Sequence, residues 1–368
     1  MDKLITITER IPDDRQHWKV VHSLKNIVVI TLFALLANAD DWVDIGYFAK
    51  MNKLILEKYL DLSNGVPSHD TIQRVMSCIE PQFLQQLNDA WVEILDKDEG
   101  EKIKELLCID GKTMRGSRGK NTKPLHVVSA WAKERGVCFG QKTVDDKSNE
   151  IPAIKELLDT ICVKDTIVTI DAIGTQTAIA EKIIEKKGDY VLAVKENQAT
   201  LYDDIKTFFE GKELLAESSY TKTIEKARGQ IEKREYWQND DVSFLVKEGK
   251  WIGLKTIGMS RNTITKDGKE TTETRYYISS LPKKVEEFAS SVRGHWSVES
   301  MHWHLDTTFR EDKNQTREKI SAENLNILRK LALSMLKTLK FEESLSIKKK
   351  RNVLGWSFAS NIEKLMSL

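Results

Sequence analysis

At 368 residues the chain exceeds one ordinary domain, and its 40% hydrophobic and 31% charged residues are the balance of a globular protein with a real core. The 57 Lys+Arg nearly cancel the 56 Asp+Glu, which excludes a uniformly basic nucleic-acid binder and leaves any basic surface to local clustering. Cys78, Cys108, Cys138 and Cys162 stand far apart with no CxxC spacing, so they read as reduced core thiols and not as a disulfide framework. The most apolar early run, Ile27 to Ala37, is too short to span a bilayer and follows a mixed-charge segment, so a soluble, intracellular protein with no membrane partner is expected.

Residues 1–98 read as helical. The run from Ile27 has the look of a buried helix; Trp42, Ile45 and Phe48, and then Phe83, Leu87, Trp91 and Leu95, recur at helical spacing. Asn64-Gly65-Val66-Pro67 is a turn, with Ser68 or Asp70 placed to cap the helix after it. The acidic, glycine-containing stretch Asp96 to Lys102 marks a boundary. The pattern then changes. Leu106 to Asp110, Leu125 to Trp131 and Val137 to Val144 read as strands, with Glu134-Arg135-Gly136 as a turn. A helix from Glu150 to Cys162 carries Pro152 in its first turn. A strand (Thr166 to Asp171), a helix (Thr175 to Lys187) and a strand (Tyr190 to Val194) follow, an α/β order that implies a mixed sheet. Residues 196–284 read as β-rich, with strands at Glu232–Trp237, Val242–Val246, Leu254–Met259 and Thr274–Ser279. Helical spacing returns over Val285–Phe309 and Ala322–Lys340. The tail, 341–368, has a basic run, Lys348 to Arg351, and an amphipathic stretch with Trp356 and Phe358.

Asp110 and Asp171 each follow an apolar strand and precede a small-residue turn. Ligands and catalytic groups gather at strand ends in open α/β sheets. Two such acids on neighbouring strands repel each other unless a cation binds or one keeps a proton, and Mg²⁺ suits a pair of carboxylates facing phosphate oxygens. On the later helix, His295, Glu299, His302 and Asp306 form one polar stripe at a period of 3.6. Turned toward the Asp pair, this stripe would complete a two-metal site for phosphoryl displacement. An Asp at a strand end serves as readily as a turn or capping residue, and residue patterns alone leave both readings standing.

The motifs Cys108-Ile-Asp-Gly-Lys-Thr-Met-Arg115, Lys147-Ser-Asn-Glu150, Thr169-Ile-Asp-Ala172, Ala193-Val-Lys-Glu-Asn-Gln198 and His295-Trp-Ser-Val-Glu299 resemble, in series, the H-repeat-associated group of insertion-sequence DDE transposases. Ile11 to Gln16 and Gly65 to Thr71 resemble the helical domain of that group. The resemblance implies an RNase H-like mixed sheet flanked by helices (99–195 and 285–340), interrupted by the β-rich insertion 196–284. A helical N-terminal domain for DNA-end binding would precede it. It further implies Mg²⁺ or Mn²⁺ dependence, Asp110, Asp171 and Glu299 as catalytic and metal-binding acids, and cleavage of double-stranded DNA at element ends with strand transfer. A homodimer on DNA, in the bacterial cytoplasm at the nucleoid, belongs to the same implication. The alternatives are a nuclease on the same core that never joins strands, or an inactive DNA-binding descendant. The wider superfamily has a Tyr, Arg, Glu, Lys signature around its last acid; here His295 stands in place of the Arg and Leu305 where Lys is common.

Other residues invite a DNA-binding reading. Lys112, Arg115, Arg118, Lys120 and Lys123 follow Asp110 with no acid among them, as phosphate-neutralising side chains or a solvated loop. Lys195 and Gln198 follow the last core strand. Arg293, His295, Trp296 and His302 lie on the helix with Glu299, where Trp296 suits either base stacking or core packing. His302-Trp303-His304 lacks a second ligand pair at zinc spacing.

Overall fold

The computed structural model describes residues 2–95, 104–120, 122–144, 149–227, 229–245 and 250–368. The expected boundary Asp96–Lys102, residues Lys147 and Ser148 of one motif, and Val246 lie outside the described residues.

The N-terminal part is helical: α1 (Asp2–Thr8), α2 (Leu24–Leu36), α3 (Trp42–Met51), α4 (Lys53–Leu56), α5 (His69–Met76) and α6 (Pro81–Leu95). Side chains of Ser23, Asp41 and Ser68 accept hydrogen bonds from backbone amides in the first turns of α2, α3 and α5, satisfying donors that a helix leaves unpaired. Of the two cap candidates before α5, Ser68 is the cap, and Gly65 turns the chain at φ +81°. Apolar on every side, α2 is buried nearly throughout.

A nine-stranded mixed sheet follows among the described residues: β1 (Leu106–Thr113), β2 (His126–Ala132), β3 (Val137–Val144), β4 (Ile167–Ile170), β5 (Asp189–Val194), β6 (Ser219–Ala227), β7 (Gln230–Asn239), β8 (Thr256–Lys266) and β9 (Lys269–Ser279). The spatial order is β3-β2-β1-β4-β5-β9-β8-β7-β6, with β1/β4 and β4/β5 parallel and every other pair antiparallel. The later strands extend the same sheet, since β9 pairs with β5 from Val191↔Ser279 to Val194↔Tyr276. Helices α7 (Glu150–Thr160) and α8 (Thr177–Glu185) form the crossovers of the parallel part. The RNase H-like arrangement expected from the sequence is the one observed.

Three local expectations need correction. The segment after β5 opens with α9 (Ala199–Glu210) and α10 (Lys212–Glu217) before any strand. Val242–Leu245 is a turn and not a strand: the Asp241 carboxylate accepts from the Ser243 amide, and Phe244 stacks on Phe208 of α9 at 5.3 Å. The apolar residues there, Val242, Phe244 and Leu245, pack half-buried against the core. Strand β6, by contrast, escapes a pattern search because its mostly exposed side chains do not alternate in polarity.

Helix α11 (Val285–Thr307) lies across β1 and β4. Gly294 permits this close approach, since a Cβ there would run into Leu106 and come within 3.0 Å of the Lys133 chain. Helix α12 (Lys319–Thr338) packs on α2, α5 and α6 as well as on β3. Its Ser334 accepts from the Trp91 indole at 2.8 Å, and its Asn324 donates to the carbonyls of Met76 and Ile79 at 2.7 Å. The tail forms α13 (Ile347–Trp356) and α14 (Phe358–Met366). No helix among the described residues is long and apolar enough to cross a membrane.

Candidate active site

Parallel pairing of β1 with β4 ends at Ile109↔Ile170, so Asp110 and Asp171 each stand one residue beyond the last parallel pair. Asp110 does not end its strand, however, because β1 runs on to Thr113 against β2. Asp171 caps the short 3₁₀ turn Ala172–Gly174, accepting from the Ile173 amide at 3.2 Å. Both acids line a cavity of about 730 Å³ together with Glu299 of α11. The three carboxylates thus come from separate elements to one cleft.

The polar stripe of α11 faces the sheet as its spacing implied. His295 Nδ1 lies 2.9 Å from Thr169 Oγ1 on β4, His302 Nδ1 3.6 Å from Asp110 Oδ2, and Asp306 Oδ1 2.7 Å from Lys112 Nζ. Burial lowers His295 to about 4, helped by Arg275, and His302 to about 3, helped by Lys330 and Lys112, so both rings are neutral at pH 7.

Burial pushes the Asp110 carboxyl up to about 7; Asp171, Glu150 and Glu299 add repulsion, against one stabilising amide from Gly111. Burial likewise raises Asp171, with Glu150 again adding to it and Lys195 opposing. A divalent cation relieves this kind of stress, and the donors are the hard oxygens that Mg²⁺ and Mn²⁺ prefer. The donor chemistry therefore fits such an ion. Among the described residues, though, no three His, Cys, Asp or Glu side chains are gathered tightly enough to hold one together.

The remaining candidates separate into two groups. Lys195 lines the cleft, and Trp296 stands at its rim, 38% exposed, beside the exposed Arg293. Arg115 and Arg118 are exposed on the loop after β1. Lys112 departs from the phosphate-facing reading, for it is buried and faces Asp306, Glu311 and Asp312 at 2.7, 3.1 and 3.5 Å. The Gln198 amide donates to the Thr175 carbonyl at 3.0 Å and does not line the cleft.

Residues 101–335, well over half the chain, match the model of the transposase DDE domain, and residues 5–92 match the model described as DDE_Tnp_1-associated. The chain belongs to the DDE transposase family. Among its relatives are the H repeat-associated putative transposase YhhI and the putative protein YbfL of Escherichia coli K12, each 36% identical over 98% of both chains. The putative transposase YncI of Escherichia coli O157:H7 is 38% identical over 92% of this chain and 88% of its own. The H-repeat-associated group is therefore the branch to which this transposase belongs, and DNA is the substrate that its family implies.

Two side chains at or beside the acidic cleft were not singled out from the sequence as site residues. Glu150, at the first position of α7, is only 3% exposed and stands against His126 at 3.3 Å and close to both aspartates. Gly111 makes room for it: a Cβ there would come within 2.6 Å of Glu150 Oε1. Its presence in the Lys147–Glu150 motif was the available signal, hidden by the ordinary role of Glu in a first helical turn. Arg275 on β9 lines the cleft, and against burial its hydrogen bonds to Glu273 favour its charged form. A single Arg within a polar strand carried no signal.

Proposed function

We propose that this transposase cuts DNA at the ends of an insertion sequence and joins the freed 3′ ends to target DNA. Asp110, Asp171 and Glu299 are the acids that would hold Mg²⁺ or Mn²⁺. The observation that carries the reading is the convergence of these three carboxylates, from β1, the end of β4 and α11, on one cleft. When bound, the divalent ions supply Lewis-acid activation of the attacking hydroxyl and charge stabilisation at the leaving 3′ oxygen. The Gly111 amide, 2.8 Å away, fixes one oxygen of Asp110, and His302 Nδ1 lies 3.6 Å from the other. The Ile173 amide orients Asp171 in the same way. Lys195 opposes the negative charge beside Asp171 and stands where a phosphodiester would enter. Two copies, each acting on one element end, complete the reading, with the nucleoid as the place of action.

Asp110→Asn tests it. The variant keeps size and shape but not charge, so cleavage of DNA flanking the gene should fall by more than about a hundred-fold while binding of the same DNA stays measurable. Cleavage at the wild-type rate would remove Asp110 from the site.

A further inference from the structure

The acidic cleft shares a wall with a second, narrower hollow on the face of β7, β8 and β9. Five carboxylates line the cleft, against only two cations, Lys195 and Arg275. Such a lining repels a DNA strand unless the cations meet its phosphates. The second hollow is richer in cations: Arg234, Arg261, Arg275 and Arg293 line it with one carboxylate, Glu273, although Arg234 is already paired with Glu225 and Glu232. Arg275 and Trp296 belong to both.

The geometry of Arg275 suits an anion. Its guanidinium carbon lies 5.3 Å from the centre of the Trp296 ring, and Arg293 approaches the same ring at 6.0 Å. Nε and Nη2 donate to Glu273 at 2.9 and 3.1 Å, a forked contact of the kind a phosphate also accepts. Glu273 is itself 58% exposed, so this pair is a weak surface one that a phosphate can replace. His295, on the same helix, is tied through Nδ1 to Thr169, whereas Arg275 lies over Trp296, one helical turn before Glu299, and lines the cleft with it.

We propose that Arg275 holds a backbone phosphate of the DNA strand where it passes from the arginine-lined hollow, over Trp296, into the acidic cleft, and so sets the position of the scissile phosphate against Glu299. The inference rests on the DNA-cutting function proposed above. It makes β9 a part of the site and not only a strand that widens the sheet.

The test uses the full chain and a fluorescein-labelled duplex carrying the DNA that flanks its gene. Anisotropy is read in EDTA over a salt series. Arg275→Ala should weaken binding about tenfold, as expected for one lost charge-assisted hydrogen bond, and lower the log–log salt slope by about 0.9, one phosphate contact. Arg275→Lys should keep the wild-type slope. Glu273→Gln should bind more tightly than wild type, because it removes the competing carboxylate. A purely structural arginine would make the Ala and Lys variants alike and Glu273→Gln neutral or weaker. That pattern, or a wild-type slope in Arg275→Ala, overturns the proposal. Adding Mg²⁺ separates the two ideas: a wild-type chain that binds with the predicted slopes but never cuts defeats the transposase chemistry alone. Cutting with unaltered slopes defeats only the role of Arg275.

Discussion

Asp110 experiences four influences that all disfavour its charge: burial, the neighbouring Asp171, the buried Glu150, and Glu299. Its carboxyl is raised from 3.8 to about 7 in the folded chain, so the folded state binds its proton more tightly than the unfolded one. The linkage sign follows. Below pH 4 both states are protonated and the group contributes nothing; as pH rises toward 7 the folded state loses stability, and above 7 the full cost is present. In EDTA, Asp110→Asn should therefore melt at a higher temperature than wild type at pH 8, and the gap should close as pH falls toward 4. A gap independent of pH would mean that Asp110 is not under electrostatic stress. Glu150 belongs to the same scale of argument. Its burial against His126 at 3.3 Å keeps a fourth carboxylate near the pair, in the space that Gly111 leaves open.

At the scale of elements, α11 and the tail are held by buried charge. Lys112, on β1, meets Asp306 at the end of α11 and the fully buried Glu311 just beyond it. Glu311 also accepts from Asn326 at 2.8 Å and faces Arg329 at 3.5 Å, both on α12. Arg351 of α13 is completely buried: it donates to the carbonyls of Leu35 and Ala39 at 2.9 Å, pairs with Asp40 at 3.1 Å, and lies over the Phe309 ring at 4.2 Å. One residue of the tail's basic run is thus a structural bolt between α2 and the segment after α11. Removing one partner of a buried pair leaves the other uncompensated, at about 3–5 kcal/mol. Arg351→Ala should lose that much stability in urea unfolding at pH 7, whereas Lys348→Ala and Lys349→Ala, both exposed, should change it by less than about 0.5 kcal/mol. Equal effects in all three would contradict the assignment.

What could be read from residues alone divides along physical lines. The parallel strands and their crossovers were legible because their apolar runs are continuous and end in small-residue turns, and α11 because its polar stripe holds a helical period over Glu299, His302 and Asp306. Lys112 was misread because charge in sequence does not reveal that three acids, nearly two hundred residues away, will enclose it. Arg275 and Glu150 escaped for the same reason: their meaning lies in which neighbours the sheet order brings to them. Strand β6 and helix α9 were missed because exposed polar strands and short amphipathic helices give weak periodic signals.

At the scale of the molecule, one continuous sheet with α11 laid across it carries both the acids and the arginine-lined hollow. Helix α12 then joins this sheet to the N-terminal helices through a shared core. A net charge of +1 supplies no long-range pull on DNA, so recognition would fall to local features around α11 and β9. In the proposed chemistry Asp110, Asp171 and Glu299 act as one unit. The most direct measurement incubates the full chain, wild type and each of Asp110→Asn, Asp171→Asn and Glu299→Gln, with the DNA flanking its gene, with Mg²⁺ or with EDTA, and maps the cut positions. Defined cuts at the element ends are expected from the wild type with Mg²⁺ only, and none from any of the three variants. Cuts that persist in EDTA, or in any one variant at the wild-type rate, would show that the three acids do not share one metal-dependent role.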